Sequence, residues 1–200
     1  MKNIILTIII MLLSFVGCKK YSDNPVGPSG STGFYNLKIG NSITEIWNEY
    51  STINNKDSLI KQYEFTSTIL RDTVFGGFTW YSDNDKWYPD EIWIANKNDG
   101  FWQADRQTDG SFDVSMIFKF PCKKGDSFTS IGGNICQVIS IDTTISVTAG
   151  TFKCIQYRLI GKQPSWTEDS FISPGIGGIK DISIAYQSKI VIELKSYSFK

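Results

Sequence analysis

Residues 135–147 read ICQVISIDTTISV, and this stretch decides the fold class. Its odd positions are Ile135, Gln137, Ile139, Ile141, Thr143, Ile145 and Val147, and its even positions are Cys136, Val138, Ser140, Asp142, Thr144 and Ser146. Five of the seven odd positions are apolar against two of the six even ones, the pattern of a half-buried strand. Ala149-Gly150 then reads as the turn that sends the chain back through Phe152 to Ile160.

Period two continues on both sides. Residues 59–73, 77–82, 91–96, 100–106, 112–120 and 127–131 read as strands. Between and beyond them lie Gly76-Gly77, Asn98-Asp99-Gly100, Asp109-Gly110, Lys124-Gly125-Asp126, Gly132-Gly133-Asn134 and Ser173-Pro174-Gly175, all residue types that turns demand. A loop at Gln187-Ser188-Lys189 sets Tyr186 against Ile190, Ile184 against Ile192 and Ile182 against Leu194, three apolar pairs on one face of a final hairpin. One segment dissents. Ser42 to Glu45 fits a capping box, and Ile43, Ile46, Trp47 and Tyr50 follow helical spacing, so a short helix near 43–50 competes on even terms with a strand. Closely spaced strands without intervening helical patterns predict a mainly β protein, an antiparallel meander forming a curved half-barrel or sandwich. Residues 33–200 form that single domain.

The N-terminal end has a different grammar. Lys2 is followed by an apolar run over residues 4–16, interrupted only by Thr7 and Ser14. A bilayer span takes roughly 20 apolar residues, so this run suits a secretory leader instead. It ends in Phe15-Val16-Gly17-Cys18, which resembles the bacterial lipobox. That resemblance implies that residues 1–17 are a cleaved lipoprotein signal peptide and that Cys18 is the lipidation site, carrying palmitate-type acyl chains. Residues 18–32 are then a lipid-anchored flexible linker, since the stretch KKYSDNPVGPSGS is too rich in Pro, Gly and Ser to build a core. Two acyl chains hold a protein on a membrane without a transmembrane helix. Lys19, where related lipoproteins retained at the inner membrane usually carry Asp, points by the same resemblance to the outer membrane.

Composition narrows the function. Lys+Arg and Asp+Glu both number 20, so no basic surplus exists to neutralise phosphates, and nucleic acid is not an expected partner. The chain has no histidine, which removes Ser-His-Asp and Cys-His nucleophile systems and His-ligated metal sites. Asp83-x-Asp85 lacks the third oxygen ligand and the glycine that a calcium loop needs at 87 and 88. No carboxylate pair stands out for glycoside hydrolysis, and Gly175-Ile176-Gly177-Gly178 precedes a strand where a phosphate loop would precede a helix. The expectation is a protein without catalytic activity, metal or cofactor.

With Cys18 consumed by lipid, Cys122, Cys136 and Cys154 remain. In the register above, Cys154 faces Ile145 and Cys136 faces Ser130, which leaves Cys122 and Cys136 on the order of 14 Å apart, beyond the ~7 Å reach of a disulfide. Three unpaired, buried thiols are expected. The densest chemical signal is aromatic. Residues 75–102 hold four of the six tryptophans, Trp80, Trp87, Trp93 and Trp102, together with Tyr88. These five residues are the candidate ligand-binding set for a glycan or an apolar molecule, with Asp83, Asn84, Asp85, Asp90 and Glu91 as polar neighbours. The competing reading places Trp80 and Trp93 in the core. It cannot easily absorb Trp87 and Tyr88, which sit in the polar loop SDNDKWYPDE.

Four segments carry a resemblance: Tyr35-x-Leu-x-x-Gly-Asn-Ser, Phe120-Pro-x-x-x-Gly-Asp-Ser-Phe, Val147-x-Ala-Gly-Thr-Phe-x-Cys and Ser173-Pro-Gly-Ile-Gly-x-Ile-Lys. In this order they resemble a broad group of uncharacterised bacterial envelope lipoproteins, and more distantly the half-barrel of lipoprotein localisation factors. The resemblance implies a β hairpin at Ala-Gly-Thr-Phe, closing strands after Pro-Gly-x-Gly, and a curved sheet able to hold acyl chains. The chain departs from the group at Ile43, where Trp before a Tyr is usual. The function expected is binding of an apolar or glycan ligand, or contact with an envelope partner, at the outer membrane. A purely structural lipoprotein and a surface glycan-handling protein are the alternatives.

Overall fold

The computed structural model describes residues 33–54, 56–83, 92–161 and 166–200. The expected signal peptide, Cys18, the linker, Trp87 and Tyr88 lie outside the described residues. Twelve strands follow one another: β1 (Ser42–Ile53), β2 (Lys56–Phe75), β3 (Phe78–Asp83), β4 (Ile92–Lys97), β5 (Gly100–Arg106) and β6 (Phe112–Lys119), then β7 (Ser127–Thr129), β8 (Ile135–Val147), β9 (Gly150–Ile160), β10 (Trp166–Ser173), β11 (Gly177–Ala185) and β12 (Ser188–Ser198). They form one sheet in the order β6-β5-β4-β3-β2-β1-β12-β11-β10-β9-β8-β7, with every pairing antiparallel. Each half of the chain is therefore an unbroken meander, and the first strand pairs with the last. The sheet curls into a nearly closed barrel whose only seam lies between β6 and β7 among the described strands.

Side-chain bonds bridge that seam in place of a ladder. Ser130, buried beside the 3-10 turn Ile131–Gly133, donates to the carbonyls of Met116 (2.9 Å) and Ile117 (3.3 Å) on β6. The Tyr157 hydroxyl on β9 donates to the Lys119 carbonyl at 2.8 Å, and the Lys119 ammonium meets Asp126 at 3.0 Å. Around Tyr157 sits the main core, which includes Phe34, Phe101, Phe120, Cys122, Cys136, Val138, Ile155 and Ile172.

Strand β8 has the predicted bounds, but its buried face changes along its length. Cys136 and Val138 point into the main core, while Ile135 is 46% exposed. Irregular pairing between Val138 and Ser140 and again between Ser140 and Thr143 shifts the pleat. Beyond it the odd-numbered Ile145 and Val147 become the packed residues, joining Phe152 and Cys154 in a second core with Phe171, Ile179 and Leu194. The β8–β9 hairpin end thus folds onto β10–β12, where the Ala149 amide reaches the Leu194 carbonyl.

Several sequence expectations are corrected. No helix forms over 43–50: this segment is strand β1, paired with both β2 and β12 along its length. Two full ladders outweigh a weak local preference. The β8–β9 turn is Thr148-Ala149, so Cys154 faces Thr143 and not Ile145. The segment read over 127–131 stops as a strand at Thr129, and Cys136 faces Phe128 and not Ser130. The last hairpin turns on Tyr186-Gln187, pairing Ser183 with Ile190, Ile182 with Val191 and Asp181 with Ile192. That slip changes which face of β11 accompanies Ile190 and Ile192. Tyr186, expected to pair with Ile190, is instead 83% exposed.

Candidate functional site

Alternation along the strands builds the barrel's inner wall. Strand β12 contributes Ile190 and Ile192, β11 Asp181 and Ser183, β10 Glu168 and Ser170, β5 Phe101 and Gln103, and β1 Ile43, Glu45 and Trp47. In each case the residues are two apart, the spacing of one strand face. Inside this wall lie three adjoining cavities of about 260, 230 and 470 Å³. Gln103 lines all three and marks their junction. The second cavity runs toward Cys136, Tyr157, Leu159 and Trp166, and the third toward Asn41, Ser67, Ile69 and Phe199. A barrel interior that encloses space and mixes aromatic walls with a few polar groups is the geometry of a small-molecule site.

Tyr35 forms the aromatic wall between the first and third cavities. Its amide donates to Asn96 Oδ1 at 3.0 Å, and Asn96 Nδ2 donates back to its carbonyl at 2.7 Å. Its ring stacks on Phe101 with centroids 4.0 Å apart and planes 13° off parallel. Burial and the neighbouring carboxylates of Asp181, Glu45 and Glu168 push its hydroxyl well above the ordinary tyrosine range, so it is a neutral wall residue.

The charged residues of the described wall are all acidic. Asp181 and Glu168 stand on adjacent strands: Asp181 pairs with Ser170, Glu168 pairs with Ser183, and the two acids are diagonal neighbours on one face. Desolvation, reinforced by Glu168 and Glu45 and opposed by Ser170, raises Asp181 to about 8. Desolvation also raises Glu168, against a 3.3 Å hydrogen bond donated by the Ser170 hydroxyl. Elsewhere on the wall, the Ser67 hydroxyl donates to Asp83 at 2.5 Å and Trp47 Nε1 to Glu45 at 3.2 Å. Among the described residues, no lysine or arginine lines these cavities. Nor is any group of three or more His, Cys, Asp or Glu side chains placed to hold a metal ion among them.

Cys122, Cys136 and Cys154 are free and buried. Cys122 lies 3.4 Å from the Tyr157 hydroxyl, and Cys136 shares that core, while Cys154 belongs to the second one. Burial pushes Cys136 and Cys154 up to about 12 and raises Cys122, leaving all three as protonated thiols in neutral solution.

The described members of the aromatic set gather in a third cluster, away from the inner wall. Trp80, Ala95 and Ala104 are its buried centre, with Phe75, Trp93, Trp102 and Phe112 packed around them. Trp80 is only 1% exposed; it stacks on Phe75 at 4.6 Å and donates to the Phe75 carbonyl at 3.1 Å. The Lys97 ammonium lies over Phe78, Trp80 and Trp102 at 4.7, 4.8 and 4.1 Å. Arg71 covers Trp93 at 5.1 Å. Trp102 also edges an open groove of about 560 Å³ along β6 and the β7 end. Of the polar neighbours expected for that set, Asp83 lines the third cavity, and Asn84, Asp85, Asp90 and Glu91 lie outside the described residues. Sequence reasoning did not single out Gln103, Glu168 or Asp181, and it met Tyr35 only as part of a motif.

The class of structure this defines is an antiparallel barrel of twelve strands with an acidic, aromatic-lined interior. No family model and no curated protein matches the chain. Among solved structures, it is similar to a Parabacteroides distasonis protein described as a lipoprotein, with 11% identity and a TM-score of 0.47 over 84% of this chain and 100% of that one. It is also similar to a Bacteroides fragilis protein described as exported and of YmcC-like fold, with 14% identity and a TM-score of 0.43 over 84% of this chain and 99% of that one.

Proposed function

We propose that this chain is an outer-membrane-associated lipoprotein without catalytic activity whose barrel interior binds a small ligand with an apolar body. The observation that carries the reading is the set of adjoining cavities meeting at Gln103, where a purely structural barrel would fill its interior with side chains. The lipobox-like Val16-Gly17-Cys18 and the linker behind it support anchoring through Cys18. Glycan handling at the tryptophan cluster is the weaker reading, because Trp80 is covered and Lys97 occupies the space over Trp80 and Trp102.

Two measurements test this. Cys18→Ser should move the full-length protein from the membrane fraction to the soluble exported fraction; retention in the membrane would refute the anchor. N-phenyl-1-naphthylamine, a neutral apolar fluorophore, should bind the protein saturably, and Gln103→Trp should abolish that binding by filling the junction. Undiminished binding by a folded Gln103→Trp variant would refute the cavity as the site.

A further inference from the structure

We infer that the barrel cavity selects amphiphiles with a cationic head, placing the head against Glu168 and Asp181 and the apolar body along Tyr35, Phe101 and Ile192. This rests on the reading of the cavity as a ligand site and adds the charge of what enters it.

The cavity itself is the first observation, about 260 Å³ where the two acids reach it and adjoining about 470 Å³ that Tyr35 also lines. Its walls offer the flat faces of stacked rings, a surface that suits both apolar chains and quaternary ammonium groups. The second observation is that no lysine or arginine among the described residues lines these cavities. Glu168 and Asp181 are diagonal neighbours, and the described basic residues beside them on the paired strands, Arg158 and Lys180, are engaged elsewhere. Arg158 holds Asp169 through two 2.7 Å hydrogen bonds, and Lys180 holds Glu193 at 2.7 Å. Asp169 and Lys180 each neighbour an inward residue in sequence, so alternation turns them away from the cavity.

Two enclosed carboxyls facing each other without a cation favour the protonated form. Glu45 on β1, Asp83 on β3 and the neutral Tyr35 line the adjoining third cavity. The neutral Tyr157 and Cys136 close the adjoining cavity. A cationic head supplies the absent charge, ionises the pair and releases protons to solvent. An anionic head, such as a carboxylate or phosphate, meets repulsion from any ionised member and finds only neutral donors there, among them Tyr35, Ser170, Ser183 and Gln103.

The test uses three probes with one body: decyltrimethylammonium, decanol and decyl sulfate, each kept below micelle formation and titrated calorimetrically into the full protein at pH 7.5. The cation is expected to bind about tenfold or more tighter than the alcohol, the scale of one desolvated charge contact, and the sulfate weakest. Titrations in two buffers of different ionisation enthalpy should show net proton release for the cation alone. The double variant Glu168→Gln/Asp181→Asn keeps shape and removes buried charge, so it should fold, still bind decanol, and lose both the cation preference and the proton release. Equal affinities for cation and alcohol, or a preference surviving in the folded double variant, would overturn the inference while leaving the cavity reading intact. Failure of decanol and N-phenyl-1-naphthylamine to bind at all would overturn the cavity reading, and this inference with it.

Discussion

The ring of Tyr35 occupies the space that a side chain on Gly177 would need: a Cβ there would sit 2.7 Å from two ring carbons. Gly177 also has φ +119°, a backbone conformation that side chains rarely adopt. Strand β11 begins at this residue, so glycine both starts the strand and lets the cavity wall lie against its backbone. Two constraints therefore meet at one position.

Gly177→Ala is expected to destabilise the protein by about 2–4 kcal/mol, combining backbone strain with displacement of a packed ring. Gly110 supplies the control. Its φ is +85° and nothing lies within 4 Å of the point where a Cβ would stand, so Gly110→Ala carries strain alone, about 1 kcal/mol. Urea unfolding of both variants measures the difference; equal losses would show that Tyr35 yields without cost.

Asp181 makes stability depend on pH in a stated direction. Its carboxyl is raised to about 8 in the fold, by desolvation first and then by Glu168 and Glu45. Unfolded, it returns to about 3.9. Between these values the native state holds a proton that the unfolded state has released, so this stabilisation is complete below about pH 4 and is lost as pH rises to about 8. Asp181→Asn removes that dependence. The variant should match the parent at pH 4 and exceed it at pH 8.5 by on the order of 2–5 kcal/mol. Thermal unfolding at the two pH values decides it, and a parent whose stability rises from pH 4 to 8.5 through this residue would refute the sign.

Ser130 holds the seam of the barrel. Its hydroxyl reaches two carbonyls of β6 across the break in the ladder, and the residue is buried. Ser130→Ala leaves those carbonyls with one partner fewer and is expected to cost about 1–2 kcal/mol. Hydrogen exchange should quicken first in β6 and β7, the two strands with a free edge, while β1 and β12 stay protected. Uniform quickening across the sheet would place the effect elsewhere.

The strands were legible because period two and turn chemistry agree over most of the chain, as in 100–106 and 135–147. The inner wall was not. In β11, Ile182 and Ile184 look like the core face and Asp181 and Ser183 like the wet one. The structure reverses this: Asp181 and Ser183 line the cavity, Ile182 is covered by the folded-over hairpin end, and Ile184 is 49% exposed. A polar cavity defeats the rule that apolar means inside. Strand β10 shows the same limit, since Glu168 and Asp169 are adjacent acids and only the pairing with β9 and β11 decides which one faces inward. The apparent helix at 43–50 failed for a related reason: Ile43, Glu45 and Trp47 share one strand face, and the acid hid the alternation.

The tryptophan cluster separates stability from binding. Trp80 is the largest fully buried side chain among the described residues, stacked on Phe75 with planes 2° apart, and Phe75 stacks in turn on Phe112 at 4.5 Å. The cluster joins the end of the β2–β3 hairpin to β4, β5 and β6, and none of its buried residues lines the inner cavities. Removing a buried tryptophan costs both transfer energy and the cavity it leaves, about 3–5 kcal/mol. Trp80→Ala should therefore lower stability by that amount, whereas Trp80→Phe should lose less by keeping a ring against Phe75. Neither should change the affinity of the folded protein for N-phenyl-1-naphthylamine by more than about twofold, since distant sites act independently. Trp102→Ala offers the converse check, because Trp102 is only half-buried and edges the open groove. Loss of probe binding in a well-folded Trp102→Ala variant would move the ligand site from the barrel interior to that groove and restore the tryptophans as its contacts.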